Sequence, residues 1–393
     1  MKLIIAFIAL YIIFAFQKEL YRRNWNKGLS AKISFDRNYI EYGEENEMKI
    51  EISNKKLLPL PVFQLKYSID KSLVFNDEKN STITDLCYRN EAFSVLANQK
   101  ITRKYIIRGT RRGFFLVSNG TIQVRDFFLI STFARQVDND AIIYVFPRKI
   151  RTDSFDNMMR GIMGEVSAKR SLIYDNLSFR GIREYTRTDS QKSINWRQTA
   201  KRNDLMVNLY DYTMDREVKI FLNLEADNMI ATGYLLEETI CLASSIARRL
   251  LERKIAVSFF SNGYMRDIRS GEALSLSGDV SELHTNRDIP CPYVGKGADL
   301  SHSITIDKSL SSITSTGATE EFMKILKKET KYGAQNIQYI IISPYHREDL
   351  LTEVDKMNRN NLAVTMVVPH YDTIPLREKR SYMYGWEVKK NDS

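Results

Sequence analysis

The strongest constraint on the fold is a change of hydrophobic period along the chain. Between Ala31 and about Pro147, apolar and polar residues alternate, as in Lys49-Ile50-Glu51-Ile52 and Ile101-Thr102-Arg103-Lys104-Tyr105-Ile106-Ile107. Turn residues such as Tyr42-Gly43 and Asn119-Gly120 separate these stretches. A period of two puts alternate side chains on opposite faces of a strand, so the region reads as antiparallel strands with one dry face. Strands recurring about every ten residues with no long amphipathic helix between them favour a β-sandwich-like module. After Glu217, apolar runs of strand length alternate with helical periodicity. Val218–Leu222, Ile255–Phe260, Ile337–Ile342 and Leu362–Val368 read as buried strands, and Leu235–Leu251, Phe322–Leu326 and Leu350–Met357 as helices between them. Continuous apolar strands joined by helical crossovers predict a mainly parallel sheet with helices on both faces. The Gly-, Ser-, Asp- and Pro-rich stretch from Ser261 to Ala318 reads as long surface loops with one short strand at Ala273–Leu276.

Ahead of both regions lies Leu3–Phe16, an unbroken apolar run shorter than the roughly 20 residues that a bilayer core requires. Lys2 and Lys18 can snorkel, and Leu20 and Tyr21 can extend the apolar face, so the segment is expected to span as an uncleaved anchor. A cleaved signal peptide competes, but Ala15-Phe16-Gln17-Lys18 puts bulky residues where small ones are needed. Lys18, Arg22, Arg23 and Lys27 outweigh Lys2 and the α-amino group. The positive-inside rule then predicts a single pass of the cell membrane with the body of the chain in the cytoplasm.

With 393 residues, 43% hydrophobic and 27% charged, the chain has the size and composition of two or three folded units. Three widely spaced cysteines, Cys87, Cys241 and Cys291, suggest neither a disulfide framework nor a zinc site, and they suit a reducing compartment. The formal charge of +10 is uneven: Arg180, Arg183, Arg187, Lys192, Arg197, Lys201 and Arg202 face only Glu184 and Asp189 within one short segment. That segment admits three readings: a hairpin with its charges paired internally, a docking surface for an acidic partner, or a nucleic-acid patch. In the first, Asp189 and Glu184 pair with Arg183 and Lys192 while Tyr185 and Trp196 pack beneath the charges. No nucleic-acid-binding module accompanies the charge, and nucleic acid is not the expected partner.

Two stretches resemble a known family. The first is Arg111-Arg112-Gly113-Phe114-Phe115, followed by Gln123-Val124-Arg125-Asp126-Phe127-Phe128-Leu129 and Val145-Phe146-Pro147. The second runs from Arg180 to Lys201, with Arg183, Tyr185, Asp189, Lys192, Ile194, Trp196, Ala200, Lys201, Leu205 and Val207 at signature positions. Together they resemble the family called domain of unknown function fifty-eight. The chain departs from its pattern at Phe127, Arg187 and Thr188, where proline, proline and glycine are usual, and at Asn195, where aspartate is common. The resemblance implies a von Willebrand A-like (Rossmann-like) α/β core over about 215–370, within a family domain spanning 151–393. A β module over 28–150 and an anchor with its basic flank over 1–27 would precede it. It also implies work alongside a MoxR-type AAA ATPase, with Arg180, Arg183, Tyr185, Asp189, Lys192, Trp196 and Lys201 as candidate docking residues.

A von Willebrand A domain that binds Mg²⁺ usually carries Asp-x-Ser-x-Ser after its first strand. Here Asn223, Glu225 and Asp227 stand at those positions. Asn223 lacks charge and Glu225 is too long to replace a serine, so no metal and no cofactor is expected. No GxxxxGK[ST], HExxH, GxSxG or strand-linked GxGxxG pattern occurs, and His284, His302, His346 and His370 lie far apart. The expected function is a non-enzymatic adaptor or scaffold for assembly, chaperone-like or envelope-related processes. The competing expectation is a cell-envelope processing enzyme with an unrecognised nucleophile such as Cys291 or Ser261.

Overall fold

The computed structural model describes residues 2–77, 81–137, 141–168, 179–187, 189–210, 217–225, 233–265, 289–290, 293–318, 321–344, 346–371 and 380–389. The chain divides into two units. Among the described residues, the first comprises 2–148 and Leu310–Ser312, and the second comprises Lys149–Met265, Ile289–Ser309 and Ile313–Lys389.

The first unit opens with helix α1 (Lys2–Asn24), 23 residues long and apolar enough to cross a membrane. At 1.5 Å per residue it reaches about 35 Å, because the helix continues past the apolar run through Lys18 to Asn24. Two antiparallel sheets follow. One orders Leu29–Phe35, Glu45–Asn54, Lys100–Gly109 and Leu73–Phe75; the other orders Thr132–Gln136, Ser118–Arg125, Leu60–Asp70, Leu86–Val95 and Ser81–Ile83. Their inward residues form one core that includes Met48, Ile50, Ile52, Phe63, Leu65, Ile122 and Val124. Along Glu45–Asn54 every second residue is buried, as the period of two requires. Each fully buried Ile or Phe is worth about 1.5–3 kcal/mol. A small third sheet orders Tyr39–Ile40, Ile142–Val145 and Gly113–Leu116.

Among the described residues the second unit holds six α-helices: α2 (Asp153–Ala168), α3 (Trp196–Arg202), α4 (Gly233–Glu252), α5 (Leu300–Ser312, to Ser309 within the unit), α6 (Glu321–Tyr332) and α7 (Glu348–Arg359). Its largest sheet orders Val294–Gly297, Ala256–Ser261, Glu217–Leu222, Ile337–Ile342, Ala363–Tyr371 and Met383–Val388. The edge strand Val294–Gly297 is antiparallel and the other pairings are parallel. Phe221, Tyr339, Ile341, Val364 and Met366 pack against Phe322 and Leu326 of α6 and Leu350 and Val354 of α7. The helical repeat puts Leu350, Val354 and Met357 on one buried stripe of α7. An antiparallel pair, Phe179–Glu184 with Met206–Tyr210, and an antiparallel sheet ordering Ile289–Pro290, Gly263–Met265 and Ile313–Ala318 complete the unit.

The expected fold class is therefore corrected. Twelve of the seventeen strand pairings among the described residues are antiparallel, so a von Willebrand A-like, mainly parallel α/β fold does not describe this chain. The class is mixed, with several mostly antiparallel sheets. Eight of the twelve lie in the first unit, where the period of two predicts them; in the second unit four pairings are parallel and four antiparallel, and three of those four involve short strands. Gly263–Met265, Ile289–Pro290, Val294–Gly297 and Ile313–Ala318 sit in a polar, glycine-containing stretch that periodicity reads as loop, and backbone pairing rather than side-chain pattern makes them strands. The strand expected at Ala273–Leu276 lies outside the described residues.

Candidate functional site

The signature segment folds as a pair of strands bracketing a short helix. Arg183 faces Val207 and Glu184 faces Met206 across the antiparallel pair, with an irregularity between Phe179 and Gly181. Arg180 lies on the strand Phe179–Glu184. At the open end Asp189 gathers donors: Arg183 Nη1 to Oδ2 at 2.7 Å, Arg183 Nη2 to Oδ1 at 2.6 Å, and the Thr186 amide and hydroxyl to Oδ2, both at 2.8 Å. A bidentate guanidinium–carboxylate pair fixes geometry as well as charge. The Arg183 guanidinium, joined by the two Thr186 donors, holds the Asp189 carboxyl well below the usual carboxylate range.

Helix α3 is pinned at both ends. Asn195 accepts the Gln198 amide at its N-terminus (3.1 Å) and donates to Asn208 Oδ1 (2.7 Å). Asparagine caps a helix as well as aspartate does, so the departure at Asn195 keeps the local fold. Asn203 closes the other end in the left-handed region at φ 62°, and the Thr199 hydroxyl accepts the Met206 amide at 3.0 Å. Met206 and Val207 are buried beneath.

The outer surface of this scaffold is the unusual part. Trp196 is 68% exposed and Leu205 is 45% exposed, and the cations Arg197, Lys201 and Arg202 are exposed on the same short helix as Trp196. The expectation that Trp196 packs beneath the charges is corrected. The seven-residue helix is held by its caps and the strand below, which leaves the indole on the solvent side. Tyr185 is half-buried, with its amide on the Leu205 carbonyl, and Lys192 is exposed. Asp189 pairs with Arg183, as the charges suggested. Arg183 and Asp189 are thus positioning residues for the tip, while Trp196, Lys201 and their neighbours face outward.

The other candidate positions lie at the carboxyl ends of the parallel strands. Asn223 is 1% exposed. Its Oδ1 accepts the Glu225 amide (3.0 Å) and Asn262 Nδ2 (2.7 Å), and its Nδ2 donates to Ser343 Oγ (3.1 Å). Asn262 Oδ1 in turn accepts the Leu224 amide at 2.8 Å. Both ends of the Asn223 amide are engaged within the protein, so ligation of a hard cation there would break existing bonds. Asp227 lies outside the described residues, and Glu225 is partly exposed. Among the described residues no group of three or more His, Cys, Asp or Glu is arranged to hold a metal. Replacing Asn223 with alanine removes the acceptor of the Asn262 side-chain amide and of the Glu225 backbone amide, and the donor to Ser343 Oγ. A loss of about 1–3 kcal/mol is expected from the shift in denaturant midpoint.

Ser261 is 1% exposed and its Oγ accepts the Gly263 amide at 3.1 Å, while Cys291 and His284 lie outside the described residues. His302, His346 and His370 each contact a different backbone carbonyl, those of Val257, Pro344 and Tyr371. The structure does reveal a cluster that sequence reasoning missed. Lys149 Nζ lies 2.5 Å from both Ser244 Oγ and Asp307 Oδ2, and Ser244 Oγ donates to Asp307 Oδ1 at 2.5 Å. Lys149 is engaged as a cation with Asp307, and Ser244 is 1% exposed, so the serine–lysine contact presents no nucleophile to solvent. Its one signal in sequence is a hydroxyl at a core position of the apolar helix Leu235–Leu251.

No protein-family profile and no curated protein matches the chain. Matches among solved structures include the CARDB domain of a Pyrococcus furiosus protein, with 10% identity over 30% of this chain and 90% of that one, at a TM-score of 0.21. A cohesin from Archaeoglobus fulgidus matches at 11% identity over 33% and 97% of the two chains, with a TM-score of 0.22. The second type II cohesin module of the Acetivibrio cellulolyticus adaptor scaffoldin ScaA matches at 13% identity over 32% and 94%, with a TM-score of 0.23. Likenesses this slight carry no argument about function.

Proposed function

We propose that this chain is a membrane-anchored, non-enzymatic docking protein whose signature surface binds a protein partner, with a MoxR-type AAA ATPase as the partner class that the family resemblance implies. The observation that supports the reading is the exposed Trp196. A tryptophan 68% exposed on a helix fixed at both ends presents a large, rigidly placed apolar surface to water. Tryptophan and arginine are the side chains that dominate protein interfaces when they are desolvated. Arg197, Lys201 and Arg202, exposed on the same helix, suit an acidic rim on the partner. Helix α1 serves as the single-pass anchor, with the body on the cytoplasmic side where Lys18, Arg22, Arg23 and Lys27 lie. Glu19 pairs with Arg22 and Arg23, but orientation follows lysine and arginine rather than net charge.

The test is a pull-down of the full chain, in detergent, against the host's MoxR-type ATPase with and without ATP. Trp196→Ala removes an outward side chain and leaves the caps of α3 intact. It is expected to weaken binding about 30-fold, the effect of losing a contact worth about 2 kcal/mol. Lys201→Glu is expected to weaken it through the rim. Arg183→Glu is the wrong probe, because it breaks the Asp189 tip and confounds docking with folding. Binding by Trp196→Ala equal to wild type, or no binding in either nucleotide state, overturns the assignment.

A further inference from the structure

We propose that the turn 126–131 of the first unit is a second membrane-contacting element, whose tip Phe127-Phe128-Leu129-Ile130 enters the lipid beside α1. The inference rests on the reading of α1 as a membrane anchor and goes beyond it. These four consecutive side chains are 60%, 43%, 48% and 66% exposed. A contiguous exposed apolar tip on an otherwise alternating strand module marks a contact surface rather than ordinary scatter.

The tip is built rather than merely left uncovered. Asp126 is fully buried at its base, and its Oδ1 accepts the amides of Ile130 (2.8 Å) and Ser131 (3.1 Å). The Leu129 amide bonds to the Asp126 carbonyl and the Asp126 amide to the Ser131 carbonyl. Leu129 sits in the left-handed region at φ 62°, a strained conformation for a residue with a Cβ. A buried carboxylate and a strained leucine together hold four apolar side chains outward.

Their position identifies lipid as the occupant. Helix α1 and Trp25, the residue that follows it, touch this end of the unit. Trp25 stacks on Phe133 at 5.9 Å, the Tyr21 hydroxyl donates to the Pro59 carbonyl at 2.7 Å, and Phe14 meets Phe128 with ring centroids 6.1 Å apart. Phe14 lies one helical turn, about 6 Å, on the apolar side of Lys18. If Lys18, Arg22 and Arg23 mark the headgroup level, Phe128 sits at the acyl boundary, the depth that interfacial apolar side chains reach. Leu57 and Leu96, 81% and 62% exposed, flank the same end. Their turns are joined by Asn54 Nδ2, which donates to the carbonyls of Leu58 and Leu96. The Leu3–Phe16 run is short for a spanning segment, and a second inserted element supplies apolar contact that the anchor alone lacks.

The experiment uses the full chain with Cys291→Ser, since Cys87 and Cys241 are buried. An environment-sensitive fluorophore is placed at Ile130→Cys or, as the control, at Phe16→Cys, and the protein is reconstituted into phosphatidylcholine–phosphatidylglycerol vesicles doped with acyl-chain nitroxide lipid. Blue-shifted emission at both positions, quenched by the nitroxide to a similar extent, is the expected result. Quenching at Phe16 with a water-like, unquenched signal at Ile130 overturns the inference and leaves the anchor standing. A blue shift at Ile130 without nitroxide quenching means that protein covers the tip, such as a second copy of the chain, and also overturns it. A water-like signal at Phe16 removes the anchor, and the inference with it.

Discussion

Glu91→Ala is expected to destabilise the first unit by about 3–5 kcal/mol in chemical denaturation, the penalty for stranding a buried charge. Arg89 and Glu91 are two residues apart on the strand Leu86–Val95, so both point to the same face, and that face is the core. Their side chains are 1% and 0% exposed. Glu91 Oε1 accepts Arg89 Nε at 2.9 Å and Nη2 at 2.8 Å, while Oε2 accepts the Tyr105 hydroxyl at 2.5 Å and Arg103 Nη1 at 3.0 Å. The guanidinium lies 4.2 Å above the Phe75 ring centroid and 4.7 Å from that of Tyr105. Burial is the largest single influence and disfavours the charge on Arg89, but the Glu91 hydrogen bond and the charges of Tyr67, Glu91 and Tyr105 together outweigh it and hold the guanidinium above its ordinary value. Removing Glu91 leaves the desolvation cost without its compensation. Arg89→Met with Glu91→Leu is expected to recover most of the loss, because an apolar pair needs no counter-charge. A single variant within about 1 kcal/mol of wild type would show that water reaches the pair.

The second large effect is expected in the other unit. Asp307→Ala removes the partner of Lys149, whose side chain is 8% exposed, and strips one acceptor from Ser244. A loss of about 3–5 kcal/mol is expected for the unpaired cation, against about 1 kcal/mol for Ser244→Ala, which deletes one neutral partner. Denaturant unfolding followed by tryptophan fluorescence reads both. Equal losses from the two substitutions would mean that the hydroxyl, not the ion pair, holds the cluster together. The same contrast separates a structural role from a nucleophile–base role, since the latter places its main effect on turnover rather than on stability.

The two clusters show where sequence reasoning stops. Alternation along Cys87-Tyr88-Arg89-Asn90-Glu91-Ala92-Phe93 identifies a strand, yet a charge on the inward face looks like an interruption of the pattern until its partner is seen. Lys149 and Asp307 lie 158 residues apart, and no local signal joins them. The candidate site divides in the same way. The charges of the signature segment suggested the Arg183–Asp189 pair, because the two residues are six apart in one turn. The exposure of Trp196 was not legible, because it depends on how a capped seven-residue helix sits over Met206 and Val207.

By itself, the sequence determined where the chain is regular. The apolar run of the first segment with its snorkelling flanks specifies a helix long enough for a membrane, the period of two specifies the strands of the first unit, and the stripes along Leu235–Leu251 and Leu350–Met357 specify helices. Only the tertiary structure decided which strands pair and in which direction, which overturned the expected fold class. It alone turned Arg89, Glu91, Lys149 and Asp307 inward, left Trp196 in water and brought Phe14 to Phe128. Periodicity records which side of an element is dry, a property of neighbouring residues. Strand direction and charge compensation are contracts between residues far apart in the chain, and those are settled only when the backbone closes the distance.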